Sequence, residues 1–188
     1  MQILNVIGSW LSIWDTTRAL GLTAYLLLFV SVVAGLLQSL KAMPPRAIPY
    51  VSVLHSFTGW MGLLFSITHG VVLIYDSYVG YSWLEILVPF VAKKDSFEIG
   101  LGIISLYIIF ALVLSSDLFN RIGKKSWRFM HYLSFPAYVF ALYHGVAIGT
   151  DTAIPEIKLM YAFTGLVVAS LIVIRILKKA KTNVESHS

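Results

Sequence analysis

Apolar residues gather along this chain in five runs, about residues 17–40, 49–75, 97–118, 128–148 and 156–177, separated by short polar or basic stretches. At about 1.5 Å per residue, each run is long enough as a helix to cross roughly 30 Å of hydrocarbon. None has the strict alternation of a barrel strand, and in lipid the backbone must satisfy its own hydrogen bonds. The pattern therefore predicts an all-α membrane protein, a bundle of about five transmembrane helices. Residues 1–15 place Ile3, Ile7, Trp10 and Trp14 at helical spacing over a stretch too short to span, which predicts a short N-terminal interfacial helix. Between the second and third runs, Tyr78, Tyr81 and Trp83 lead into an apolar stretch interrupted by Pro89, so residues 81–92 are expected to be interfacial or re-entrant. The expected organisation is an interfacial helix over 1–15, a transmembrane bundle over 16–178 and a polar cytoplasmic tail over 179–188, disordered from Thr182.

Charge adds sidedness. The formal net charge of +5 does not point to nucleic acid, because the basic residues sit at the ends of spans. Ten of the fourteen lie in the loops Lys41–Arg46 and Arg121–Arg128 and in the tail from Arg175 to Lys181. That face is expected to be cytoplasmic, with the N-terminus outside and the C-terminus inside, in what is expected to be a bacterial cytoplasmic membrane. The apolar stretch at the N-terminus has no basic residues before it, so a cleaved signal peptide is not expected. The absence of cysteine excludes thiolate haem, c-type attachment and cysteine-ligated iron–sulfur clusters within these residues, leaving histidine as the iron ligand available.

Four of the five histidines lie inside predicted spans, where ionisable residues are costly and become functional candidates. His55 and His69 are fourteen residues apart, within about 40° of one helical face and about 21 Å apart along the axis. Gly59, Gly62 and Ser66 lie between them on that face, small enough to leave room for a flat group or a close neighbour helix. The fourth run repeats the arrangement with His131 and His144. The second and fourth runs are parallel, so His55 is level with His131 and His69 with His144. Each pair can ligate one b-type haem axially, and bis-imidazole iron has no open position, which favours electron transfer over oxygen binding. Thirteen residues on an ideal helix leave His131 and His144 about 140° apart, so a local adjustment is expected, with Pro136 as its cause. A single histidine of this kind is as often a buried residue bonded to a neighbouring helix.

The motifs carrying these histidines resemble the ferric-reductase-like transmembrane domain family, which includes NADPH oxidases, ferric reductases and the haem subunit of the bacterial methionine sulfoxide reductase system. The resemblance spans about residues 17–148. It rests on Arg18-Ala-Leu-Gly-Leu, on His55-Ser-Phe-Thr-Gly-Trp through Thr68-His69-Gly70, on Leu101-Gly-Ile-Ile-Ser-Leu, and on Arg121-Ile-Gly-Lys-Lys-Ser-Trp-Arg-Phe-Met-His131 through Tyr143-His144-Gly145. It implies two b haems, the inner on His55 and His131 and the outer on His69 and His144. Many members have one more span before the Arg18 helix, and the oxidases and reductases continue into flavin and nicotinamide domains. Here the chain ends about ten residues after the last run, without a dinucleotide-binding Gly-rich fingerprint.

The expected function is transmembrane transfer of single electrons to an extracytoplasmic acceptor from a separate donor, either a flavoprotein or membrane quinol. Arg128 is a candidate for an inner haem propionate and Arg18 for an outer one, against ordinary roles as an orientation signal and a snorkelling side chain. Phe57, Trp60, Phe135 and Tyr138 are expected between the two levels, and Trp127 and Tyr50 in the aromatic belt. Substrate selectivity would lie in the outer loops 76–96 and 149–156. Two alternatives remain open: a quinol-linked cytochrome b subunit of a multi-subunit reductase, and a haem-free transporter or scaffold using the histidines for metal or structure.

Overall fold

The computed structural model describes residues 12–76 and 80–185, and every regular element among them is helical. The first helix, α1 (Ile13–Ser39), is opened by Ser12, whose hydroxyl accepts the Asp15 N–H. Residues 1–11, where most of the expected interfacial helix falls, lie outside the described residues, and Trp14 already belongs to α1. A turn through Pro44 and a short 3₁₀ segment (Pro45–Ala47) reverses the chain into α2 (Ile48–Ile74). Then come α3 (Trp83–Leu87), α4 (Ser96–Asp117), α5 (Phe119–His131), α6 (Ser134–Ile148) and α7 (Pro155–Glu185). Four of these are long and apolar enough to cross a membrane, and α6 is a shorter apolar helix of 15 residues.

The expected fourth span is broken in two. α5 is an amphipathic helix with no buried residue, carrying Trp127, Arg128 and His131, and α6 begins three residues after His131. Pro136 has no N–H to give Tyr132, so an uninterrupted helix would lack a bond there. In the first turn of a new helix that N–H is not needed. The chain crosses the break with tight bonds, Leu133 N–H to Met130 O at 2.9 Å and Phe135 N–H to Tyr132 O at 3.3 Å. The Arg175 guanidinium of α7 covers the break, 5.6 Å from the ring centres of both Tyr132 and Phe135. At the C-terminus, α7 stays helical through Glu185, past the point where a disordered tail was expected at Thr182. Residues 186–188 lie outside the described residues.

α1 is central, packed along α2 and also against α6 and α7. Gly59 and Gly62 permit the close α1–α2 approach: a Cβ at Gly59 would stand 3.4 Å from Ser31 Oγ, and one at Gly62 3.6 Å from Leu27 Cβ. Midway along the bundle a buried polar knot ties three helices. Tyr25 OH lies 2.9 Å from Tyr138 OH and 2.5 Å from Thr164 Oγ1, enclosed by Leu28, Leu63, Ile109 and Tyr161. These hydroxyls satisfy one another where no water is available.

Residues 81–92 form no span. A capping box of Ser82 and Glu85 starts α3, and the helix ends before Pro89. The segment then folds onto α4: the Phe90 ring occupies the space a Cβ at Gly100 would need, and Tyr107 OH donates to Leu87 O. Glu85 organises this loop. It accepts from Ser82 N–H (3.0 Å), Ser82 OH (2.8 Å) and Lys93 N–H (3.2 Å), and these bonds hold its carboxyl below the usual carboxylate range. Because the folded pKa is depressed, the contribution is present above the unfolded value of about 4.3 and is lost as pH falls through the folded value. Glu85→Ala is therefore expected to speed amide exchange over residues 82–93 at neutral pH. The difference from the unsubstituted protein should shrink as the medium is acidified, as read by hydrogen-exchange mass spectrometry; a pH-independent difference would contradict this.

Candidate haem-binding site

Two imidazole pairs stand at two levels between α2 and the α5–α6 unit. The ring centres of His55 and His131 are 5.9 Å apart with planes at 67°, and those of His69 and His144 are 6.4 Å apart at 85°. A metal–nitrogen bond of about 2 Å, with the ring centre about 1.1 Å further on, puts two imidazoles on opposite sides of one ion about 6 Å apart. The spacing of both pairs fits one six-coordinate iron each.

The neighbours of each ring leave one nitrogen for that role. His55 Nδ1 lies 2.8 Å from Ser31 O, His69 Nδ1 2.9 Å from Thr17 O, and His144 Nδ1 2.9 Å from Glu98 O. In each case Nδ1–H donates to a backbone carbonyl on another helix, so Nε2 keeps its lone pair, the tautomer that metal-ligating histidines use. A glycine four residues beyond each carbonyl makes the approach possible. A Cβ at Gly35 would stand 3.2 Å from His55 Cε1, one at Gly21 3.0 Å from His69 Cε1, and one at Gly102 2.5 Å from His144 Nδ1. A side chain at Gly102 would force the His144 ring to shift, and one at Gly21 or Gly35 would press the facing ring outward by a few tenths of an ångström. Ser31 adds a second tie, its hydroxyl donating to His55 O at 3.0 Å.

His131 differs. Its Nδ1 is buried and has no hydrogen-bond partner among the described residues, and its ring stacks on Trp127 with centres 4.7 Å apart. Trp127 is therefore more than an aromatic-belt residue: it packs on a candidate ligand and donates its indole N–H to Ser116 Oγ at 3.2 Å.

The outer pair opens on a cavity of about 1050 Å³ between α1, α2, α4 and α6, roofed by Tyr81, Ile86 and Asp95 from the outer loop. This is at the upper end of the size of ligand sites, and the apolar lining is interrupted by polar side chains, among them Arg18, Asp151, Lys94 and Asp95 near the loops. Ser66 lines it; Gly59 and Gly62 instead serve the α1–α2 contact. Arg18 also lines it but is already paired: Nε donates to Asp151 Oδ2 at 2.9 Å, a second bond joins its guanidinium to Asp151 Oδ1, and Asp15 Oδ1 lies 3.2 Å from Nη1. Its position clasps α1 to the loop after α6. On the opposite face, Lys124, Lys125, Arg128, Phe129 and Tyr132 line a shallow concavity of about 470 Å³. None of the three cations has a carboxylate within ion-pair distance among the described residues. Phe57 and Trp60, expected between the levels, are 58% and 48% exposed and lie about 200° and 140° around α2 from His55, away from the paired rings. Phe135 and Tyr138 do belong to the mid-bundle core.

Several contributors carry weak sequence signals. Gly21 and Gly35 are fourteen residues apart, the same interval as His55 and His69, and this interval could have pointed to the glycine contacts. Asp151 and Arg175 give no such cue, since their roles arise only from packing.

The family model described as ferric reductase like transmembrane component matches residues 20–142, which include three of the four histidines and stop two residues short of His144. No curated protein and no solved structure matches the chain.

The hydrogen-bond pattern can be read without any cofactor. In ¹⁵N-histidine-labelled protein at neutral pH, His55, His69 and His144 should give the ring shifts of the Nδ1-protonated tautomer. Gly102→Ala should remove that signature from His144 while leaving His55 and His69 unchanged; an unchanged His144 would contradict the glycine's role.

Proposed function

The chain belongs to the ferric reductase-like transmembrane family, and we propose that it is a two-haem b-type electron conduit that passes single electrons across the bilayer. Membership makes it an integral membrane protein of an electron-transferring oxidoreductase family, one that is generally haem-binding. The finer reading is carried by one observation, the two level imidazole pairs at 5.9 and 6.4 Å, three of whose rings donate Nδ1–H to a carbonyl.

In this reading His55 and His131 hold the inner haem and His69 and His144 the outer. Haem supplies the one-electron chemistry, and the chain supplies ligation, spacing and exclusion of water. The carbonyls of Thr17, Ser31 and Glu98 fix ring orientation and raise the donor strength of the imidazoles. The Tyr25–Tyr138–Thr164 knot cross-links three helices between the two levels. Both iron positions would be saturated, so an acceptor takes its electron at the outer haem edge, under the loop built on Glu85. The positive-inside rule makes the Lys124–Arg128 face cytoplasmic. Its unpaired cations suit an acidic donor protein or an anionic flavin, and Arg128 remains a candidate for an inner propionate.

The test is haem content per chain in detergent, from pyridine haemochrome and reduced-minus-oxidised spectra. Two b haems are expected. His69→Ala and His144→Ala should each cost the same single haem, and His55→Ala and His131→Ala the other. A haem-free protein after haem-replete expression would overturn the proposal in favour of a transporter or scaffold.

A further inference from the structure

The second bond of three histidines follows a repeated rule. The accepting carbonyl belongs to residue i and the glycine that opens it to residue i+4: Thr17 with Gly21, Ser31 with Gly35, Glu98 with Gly102. On α1 the two units are fourteen residues apart, the interval between His55 and His69 on the facing helix. On α4 the same interval carries Glu98 to Leu112 and Gly102 to Ser116. At that register the rule is broken. Ser116 replaces the glycine, and the Leu112 carbonyl is taken by Ser115 Oγ at 2.8 Å and Ser116 Oγ at 3.0 Å. His131, the histidine at that level, keeps a buried Nδ1 without a partner among the described residues. Ser116 instead accepts the Trp127 indole N–H, and the Trp127 ring stacks on His131 at 4.7 Å and 24°. Phe119 packs edge-on against Trp127, with ring centres 5.5 Å apart.

We propose that Trp127, anchored by Ser116, is the positioning residue for His131 in place of the missing carbonyl, and that the inner haem site is in consequence the looser and more easily reduced of the two. The inference rests on the two-haem reading. Stacking sets the plane of a ring but leaves it free to slide and to turn about its normal, whereas an Nδ1–H···O=C bond fixes its direction. Outer partners of this kind are typically worth about 10- to 100-fold in metal affinity. The bond also pushes electron density onto Nε2, which favours ferric iron. An iron with one unassisted imidazole is therefore reduced more readily than an iron with two assisted ones.

The experiment is transfer of haem from the purified holoprotein to excess apomyoglobin, with the ferric low-spin EPR spectrum and a redox titration on the same samples. Loss should be biphasic, with the fast phase about 10- to 100-fold faster than the slow one and missing from His131→Ala, which retains only the outer haem. Ser115→Ala with Ser116→Gly frees the Leu112 carbonyl. That double variant should slow the fast phase at least about 10-fold, move the inner EPR signal toward the outer one and shift the inner midpoint downward. Trp127→Phe, which keeps a stacking ring but loses the bond to Ser116, should accelerate the fast phase, and Trp127→Leu, which loses both, should accelerate it further. A single rate for both haems, or a double variant with unchanged rate and spectrum, would overturn this inference alone. A parent protein without haem would overturn it together with the two-haem reading.

Discussion

An imidazole in hydrocarbon has two ring nitrogens and no water, so wherever its Nε2 is to be kept for another purpose its Nδ1–H needs a fixed acceptor. The acceptors at hand in a helical bundle are backbone carbonyls, and these are already engaged along the helix and shielded by the side chain one turn further on. A carbonyl has a second lone pair, and replacing the shielding side chain with hydrogen exposes it. Thr17, Ser31 and Glu98 are exposed in this way by Gly21, Gly35 and Gly102. Most of the bundle's geometry follows from this need. α1 must lie in van der Waals contact with α2 over its whole length, and the two must keep one register, because two bonds fourteen residues apart are made at once. Gly59 and Gly62, on the α2 side of the same seam, remove the remaining obstacles.

Between the two levels the same need, that buried polar groups find partners, is met by side chains bonded to one another. Tyr25, Tyr138 and Thr164 are polar there, but each hydroxyl is bonded to another, so the knot adds cross-links among α1, α6 and α7 at no cost in unsatisfied groups. At the outer face the solution changes again. Positive φ at Phe90 (66°) and Asp95 (48°) marks a backbone bent back on itself, held by Ser96 Oγ to Phe90 O at 2.8 Å and by the Glu85 bonds. A loop held that firmly roofs the cavity beside His69 and His144.

The helical membrane class, four of the five span positions and the pairing of the four histidines were legible in the sequence because each depends on a single periodicity read against a bilayer of fixed thickness. The interval of fourteen between His55 and His69 needs no tertiary information to place both on one face. The stripe of Gly59, Gly62 and Ser66 was ambiguous for a physical reason: a small residue makes space without saying for what, and packing gave two of the three to α1 and one to the cavity. Arg18 was seen as a lone cation at an outer end, but its partner Asp151 lies more than a hundred residues away, and no local pattern joins them. Trp127 was assigned to the aromatic belt because interfacial depth alone accounts for a tryptophan, while its stacking depends on how α5 lies across the bundle.

The break before α6 explains why the exception falls on His131 and on no other histidine. The two levels are separated by fourteen residues on α2, about 21 Å, whereas α6 runs only about 15 Å from His144 back to its start at Ser134, so α6 alone falls short of the other level. A continuous helix would deliver His131 about 140° from His144, facing away from α2. Ending the helix at Ser134 frees the inner histidine to come from α5, an amphipathic element with its own direction. That freedom carries a cost, since a ring on an element with no buried residues is not pressed into a helix–helix seam, and the Leu112 carbonyl at its level is already taken by Ser115 and Ser116. What α5 can offer is a neighbour one turn away on its own surface. Trp127 is that neighbour, four residues before His131 and tied to the end of α4 through Ser116. The shift from carbonyl to stacking thus follows from the same thirteen-residue interval that requires the break.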